Sequence, residues 1–208
     1  MLLFGLTSTG QKRDDAEGAV IKFPGSRADA SSALPSELDS LIYSISSGSS
    51  RALAELYSIT DRAVYGYALS ILRNHHDAQD VMQETYIKIW QHAQNYTPRS
   101  KPMAWILTIT RNLALSGLRR QKYNADIDDD RFNSIFDCNN DMLTADDRVT
   151  LESVLLRLKD DERQIVMLHC VAGLKHRETA KLLGMPLSTV LSKYNRSVKK
   201  LKNLLEAD

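Results

Sequence analysis

The strongest restriction on the fold of this chain is a helical apolar repeat that no strand pattern contradicts. Leu53, Leu56, Val64, Tyr67, Ala68 and Ile71 recur at helical spacing and share one face. No stretch alternates with period two for long enough to build a sheet, so the expected fold class is all-α. Helical pattern begins at about Ser36, and Ser49 or Ser50 can cap the helix that carries the repeat. Asn74-His75-His76 interrupts the pattern, and Asp77 opens a helix through Val81, Tyr86, Ile87 and Trp90. Pro98 and Pro102 bracket a loop, after which a long helix runs from Pro102 to about Arg120. Asp161 with Gln164 resembles a capping box for a helix through Val166, Met167 and Leu168 that ends at Gly173. A short helix follows over 176–183 and stops at Gly184. Ser188 can cap a last helix that reaches about Glu206.

Charge divides the chain further. The 208 residues carry a net charge of +1. Residues 35–122 hold ten basic and seven acidic groups, 123–150 hold two and eight, and 151–208 hold eleven and seven. Two basic blocks therefore flank an acidic connector, and basic blocks suit a polyanion partner. The expected organisation is a disordered extension over 1–35, rich in Gly, Ser, Ala and Asp, then a helical domain over 36–122. A flexible acidic linker over 123–147 and a second helical domain over 148–208 complete it. No apolar run approaches the ~20 residues that cross a bilayer, so membrane insertion is not expected. Met1 to Gly10 reads as a tail, not a secretion signal. Cys138 and Cys170 stand far apart and read as reduced thiols of a cytoplasmic protein.

The segment His176 to Lys200 carries the sharpest local motif. A helix-turn-helix needs a small residue where its helices cross, a left-handed turn residue, and an apolar anchor in the second helix. Ala180, Gly184 and Val190 meet those needs at offsets of four and six. The second helix then presents Ser188, Thr189, Leu191, Ser192, Lys193, Asn195 and Arg196 for base edges in a major groove. Lys199 and Lys200 suit phosphates. Between Lys175 and Lys202 eight basic residues face one acid.

The first domain offers two surfaces of opposite character. Residues 98–122 contain Arg99, Lys101, Arg111, Arg119, Arg120 and Lys122 and no acid, interleaved with Trp105 and Asn112. Cations beside aromatic rings suit single-stranded nucleic acid, with bases stacking while cations follow the backbone. Asp77, Asp80 and Glu84 form an acidic stripe on the preceding helix, with Gln83 and Trp90 nearby. That stripe suits a protein partner with a basic helical surface.

These motifs together resemble the sigma-70 family of bacterial transcription initiation factors, and the small size resembles its extracytoplasmic-function subgroup. Asp77 to Trp90 is similar to the family's core-polymerase-binding helix, which implies docking by Asp77, Asp80, Val81, Gln83, Glu84, Ile87 and Trp90. Ala104 to Ala114, closing on Leu118-Arg-Arg120, is similar to the helix that melts and reads the promoter −10 element. The resemblance implies −10 contacts by Arg99, Lys101, Trp105, Thr108, Arg111, Asn112, Arg119 and Arg120. Leu151 to Leu205 is similar to the −35-reading domain, which implies −35 contacts by the recognition-helix residues named above. The family usually has an aliphatic residue at Thr179 and a basic one at Leu191, and the latter difference implies a different −35 preference. The implied partners are core RNA polymerase, through the clamp helices of its largest subunit and the flap, promoter DNA, and an anti-sigma factor.

Three other readings compete. A stand-alone helix-turn-helix regulator would use the C-terminal motif and have no need of the acidic stripe. A helical adaptor would leave the two basic surfaces unexplained. An enzyme needs chemistry the sequence does not offer. His75, His76 and His92, or His169, Cys170 and His176, lack a recognised metal-ligand spacing, and no phosphate loop or nucleophile motif occurs. No catalytic residue, metal or cofactor is expected.

Overall fold

The computed structural model describes residues 35–97, 101–125, 155 and 157–205. Every regular element among them is helical. The expected N-terminal extension, Arg99, Cys138 and nearly all of the expected linker lie outside the described residues.

Helix α1 spans Pro35–Ser46, α2 spans Ser50–Leu72 and α3 spans His75–His92, followed by a 3-10 turn over Ala93–Asn95. Helix α4 spans Pro102–Ala125, past the expected end near Arg120. Helix α5 spans Asp160–Val166 and runs on as a π-turn over Met167–Val171. Helices α6, His176–Leu183, and α7, Leu187–Leu205, complete the chain.

Local chemistry explains the boundaries. The Ser49 hydroxyl accepts the Ala52 N–H at 3.2 Å, so Ser49, not Ser50, is the cap of α2. Arg73 closes α2 at φ 55, the one non-glycine residue at positive φ among those described, and donates its N–H to Leu69. Helix α3 starts at His75, two residues before Asp77, because the Asn74 side chain accepts the Asp77 N–H at 3.1 Å. The cap of α5 also differs from expectation. Glu162, and not Gln164, reaches back to a backbone N–H, that of Lys159, at 3.2 Å. Glu178 does the same for Lys175 at 2.9 Å at the start of α6. Gly184 sits at φ 68, and Met185 N–H closes on the Ala180 carbonyl at 3.0 Å. A Cβ would strain that left-handed turn. Pro186, whose carbonyl accepts from Thr189 and Val190, precedes α7, so Ser188 lies inside its first turn.

Helix α2 is the hub. It packs against α1, α3 and α4 on one side and against α5 and the π-turn on the other. Leu56, Val64 and Tyr67 of α2, Ile89 of α3 and Ile106 and Leu107 of α4 are fully buried. They join one continuous core with Ile165, Leu168, Leu174, Val190 and Tyr194 of the C-terminal helices. Buried hydroxyls are satisfied across the first bundle. Thr60 Oγ1 meets the Tyr86 hydroxyl at 2.8 Å, and Thr85 meets Thr110 at 3.4 Å. The two helical units are thus docked on each other, which the expectation of two tethered domains did not contain.

The seam has its own chemistry. Gly66 lets the Met167 methyl approach so closely that a Cβ there would stand 2.6 Å from it. Arg163 of α5 is 4% exposed and donates from Nε to the Ser70 carbonyl at 3.1 Å. The Ser70 carbonyl lies in the last turn of α2, where carbonyls lack an intrahelical donor and the helix dipole favours cations. Asp160 accepts from Arg163 at 2.7 Å and pairs with Arg73. Burial alone would raise the Asp160 carboxyl, but hydrogen bonds and charge from Arg73 and then Arg163 outweigh it and hold it below its usual value. Burial lowers the pKa of Arg163 itself.

Candidate protein and nucleic-acid interfaces

Helix α3 presents an exposed surface of mixed polar and apolar character. Asp80, Gln83, Ile87 and Trp90 are all exposed and follow one another at steps of three and four, so they line one stripe. Ile87 is 49% and Trp90 41% exposed, among only four exposed large hydrophobics of the described residues. Two such side chains on one helical face are the usual mark of a partner site. Thr85, on the opposite face, and Tyr86, beside the stripe, are buried. Val81 is half-buried against Ala68, Ala78 and Ala114, which gives it a packing role as well. Asp77 is half-buried in the first turn of α3. Glu84 stands beside the stripe, paired with Lys88 at 3.7 Å.

Helix α4 carries a second stripe. Lys101, just before it, and Thr108, Asn112 and Arg119 are exposed at helical spacing, with half-buried Trp105 on the same line. Trp105 lies against Tyr96, ring centroids 4.9 Å apart, which fixes the indole at the edge of the core. Two members of the expected −10 set leave this line. Arg111 turns partly inward, with a buried Nε, and faces the buried Tyr67 hydroxyl. Burial raises the Tyr67 pKa, with Arg111 acting against it. Arg120 lines an open cleft of about 470 Å³ between α3 and α4 together with Asp80, Val81, Glu84 and Leu113. The acidic and basic surfaces, expected to be separate, therefore meet in that cleft.

Helices α6 and α7 form the helix-turn-helix. Val190, Tyr194, Ser197 and Leu201 bury one face of α7. Ser188, Ser192, Asn195, Arg196 and Lys199 line the opposite, exposed face. Thr189 and Leu191 flank that face half-buried. Lys193 is also drawn aside, donating to Asp161 at 3.1 Å, and Lys200 donates to the Arg157 carbonyl. In α6, Thr179 fills a fully buried slot, and its hydroxyl finds no partner among the described residues.

Behind the motif, His169 and His176 stack with ring centroids 4.0 Å apart, and both rings lie against Tyr194. Burial, and then the neighbouring His169, lower the pKa of His176. Burial raises the Cys170 thiol, whose sulfur lies 3.7 Å from the Tyr194 hydroxyl. Among the described residues no group of three or more His, Cys, Asp or Glu side chains could hold a metal ion. No helix of the described residues is long and apolar enough to cross a membrane.

Comparison with known proteins decides the family. The sigma-70 region 2 model matches residues 56–123, and the sigma-70 region 4 model matches residues 148–201. The chain belongs to the sigma-70 family, in its extracytoplasmic-function subgroup. It is 27% identical over 182 residues to the ECF RNA polymerase sigma factor SigK of Mycobacterium bovis, covering 83% of this chain and 96% of the relative. SigK of Mycobacterium ulcerans is similar at 27% over 177 residues, 82% of this chain and 95% of that one. Among solved structures, RpoE of Bartonella quintana in complex with the anti-sigma factor NepR matches at 26% identity and a TM-score of 0.59. That match covers 70% of this chain and 91% of RpoE. CnrH in complex with the cytosolic domain of CnrY shares the fold, with a TM-score of 0.59, 24% identity and coverage of 83% and 99%. This sigma-70 chain is a transcription initiation factor that directs RNA polymerase to promoters, and not a stand-alone regulator.

No local signal in the sequence marks the Arg163 seam. A lone arginine at the start of a helix looks like any surface cation until the fold brings Ser70, 93 positions away, to its guanidinium.

Proposed function

We propose that the factor docks on core RNA polymerase through the exposed stripe of α3, on the clamp helices of the largest subunit. In this reading it melts and reads the −10 element with α4, and reads the −35 element with α7. One observation carries the assignment of α3: Ile87 and Trp90 expose large apolar surface beside Asp80 and Gln83, a combination that favours a protein partner over DNA. Lys101, Trp105, Thr108, Asn112 and Arg119 form the −10 line, joined by Arg99. Arg111 holds the line from within, and Arg120 acts from the cleft. On α7, Ser188, Ser192, Asn195 and Arg196 read bases, Lys199 meets phosphate, and Lys193 reads once released from Asp161.

The domain limits proposed are 36–122 and 148–208, with the C-terminal unit also reaching the polymerase flap. The factor acts in the cytoplasm as a binding protein and not as an enzyme. The similarity to RpoE, solved with NepR, supports an anti-sigma factor as a further partner. The test is run-off transcription with purified core polymerase, with and without this chain, on a library of candidate promoters. Promoter-specific transcripts that require the chain support the reading. A chain that never associates with core polymerase overturns it.

A further inference from the structure

The first turn of α5 carries three consecutive acids, and each has a different partner. Asp160 accepts from Arg163 and pairs with Arg73, Glu162 reaches back to the Lys159 N–H, and Asp161 is left to face α7. There Asp161 accepts from Lys193 Nζ at 3.1 Å. Lys193 follows Ser192 and lies half-buried at the edge of the exposed line of Ser188, Ser192, Asn195, Arg196 and Lys199. A lysine at such an edge can swing its ammonium to either side, because a flexible four-carbon stem separates the charge from the backbone. Here the ammonium is swung onto α5 and away from that line. Lys200, seven residues further along α7, also donates towards α5, to the Arg157 carbonyl. A carbonyl is neutral, so of these two cations Lys193 is the one held by a full opposite charge.

We propose that Asp161 is a positioning residue for promoter recognition: it competes with DNA for the Lys193 ammonium and so holds −35 affinity below what the cations of α7 could give. The inference rests on the reading of α7 given above. Transfer of Lys193 to a phosphate or a base must first break its pair with Asp161. The cost of breaking it is subtracted from whatever the DNA contact yields. The Asp161 side chain is 48% exposed and that of Lys193 23%, so water screens the pair. The subtraction is therefore about two- to fivefold in affinity. The same competition meets every DNA sequence that draws on Lys193, so it lowers specific and non-specific binding together. Asp161 thus sets how tightly α7 holds DNA, while the exposed line sets which bases it prefers.

The test measures promoter binding by core polymerase reconstituted with the full chain, using fluorescence anisotropy of labelled duplex DNA over a range of salt. Asp161→Asn should tighten binding about two- to fivefold, both on a duplex that carries the preferred −35 element and on one with that element scrambled. The salt slope should steepen by about one, as one more cation meets phosphate. Asp161→Glu restores the carboxylate and should return both values to native. In a Lys193→Ala background the gain from Asp161→Asn should disappear, an outcome that neither a purely structural role for Asp161 nor general repulsion between an acid and DNA would give. If circular dichroism shows that Asp161→Asn loses helix, Asp161→Gln and Asp161→Glu, alike in shape and stronger helix formers, carry the comparison. No gain from a folded variant, or a gain that survives undiminished without Lys193, would overturn the proposal and leave the reading of α7 standing. Binding indifferent both to scrambling of the −35 element and to Arg196→Ala would overturn the reading of α7 itself, and the role of Asp161 with it.

Discussion

Truncating Trp90 to alanine should separate partner binding from folding, because the indole is divided between the two. An aromatic side chain of this size offers up to about 250 Å². At 41% exposure roughly 100 Å² is free to be covered by a partner. At ~25 cal/mol per Å² that area is worth about 2.5 kcal/mol, or roughly 60-fold in affinity. The buried remainder supports the bundle, so binding should be compared at 10 °C, with the folded fraction read from the helical circular dichroism signal. Ile87→Gln is the companion. Ile87 is 49% exposed, and half of the ~1.5–3 kcal/mol that full burial yields is about 1 kcal/mol, near fivefold in affinity, with little cost to the fold. Fluorescence anisotropy of labelled factor titrated with core polymerase gives both values. If both folded variants bind core polymerase as tightly as the native chain, the exposed stripe of α3 is not the docking face.

On α4, Asn112→Ala and Arg119→Ala should leave association with core polymerase unchanged and reduce open-complex formation, read as lost permanganate reactivity of unpaired thymines. On α7, Arg196→Ala should cost ~1–3 kcal/mol on the preferred −35 sequence and little on others, while Lys199→Ala should weaken binding evenly and reduce the salt slope by about one. Thr179→Val should raise stability by about 1 kcal/mol in urea titrations, because a fully buried hydroxyl without a partner among the described residues gives way to a methyl. Stability should fall as pH drops below about 6.5. Burial and His169 hold the folded His176 pKa below that of the unfolded chain, so the unfolded chain takes up the proton first; thermal melts of His176→Gln should show a shallower decline.

Most of the helical framework was legible because its signals are local. The apolar repeat of α2, Pro102 at the start of α4 and Gly184 in the turn each act within a few residues of chain. The errors arose where two local signals compete. In the sequence Asn74 belongs to a break, yet its side-chain oxygen caps α3, and Ser188 has the chemistry of a cap where Pro186 already starts the turn. Glu162 outcompeted Gln164 because only the third residue of a helix reaches back to the cap N–H. Spacing predicts an acidic stripe of Asp77, Asp80 and Glu84 on α3, whereas the exposed line runs through Asp80, Gln83, Ile87 and Trp90, with Asp77 and Glu84 half-buried. Spacing does not show that Arg111 turns toward Tyr67, that Lys193 is held by Asp161, or that Arg120 shares a cleft with Asp80 and Glu84. Those outcomes depend on neighbours from other helices, and the docking of α5 on α2 depends on residues about 90 positions apart.

The open carbonyl end of α2 has a consequence for how the protein is made. Synthesis proceeds N-terminus first, at about 5–20 residues per second. Once Ala125 is added, Arg163 is still 38 residues away, a delay of about 2–8 s. Helical bundles fold in microseconds to milliseconds, so the first four helices have time to settle while Ser70 still has only water to satisfy it. For those seconds the nascent chain displays a finished bundle whose Ser70 carbonyl lacks the Arg163 donor and whose Gly66 lacks the covering Met167. Any cationic, apolar segment that arrives first competes with the chain's own α5 for the same seat.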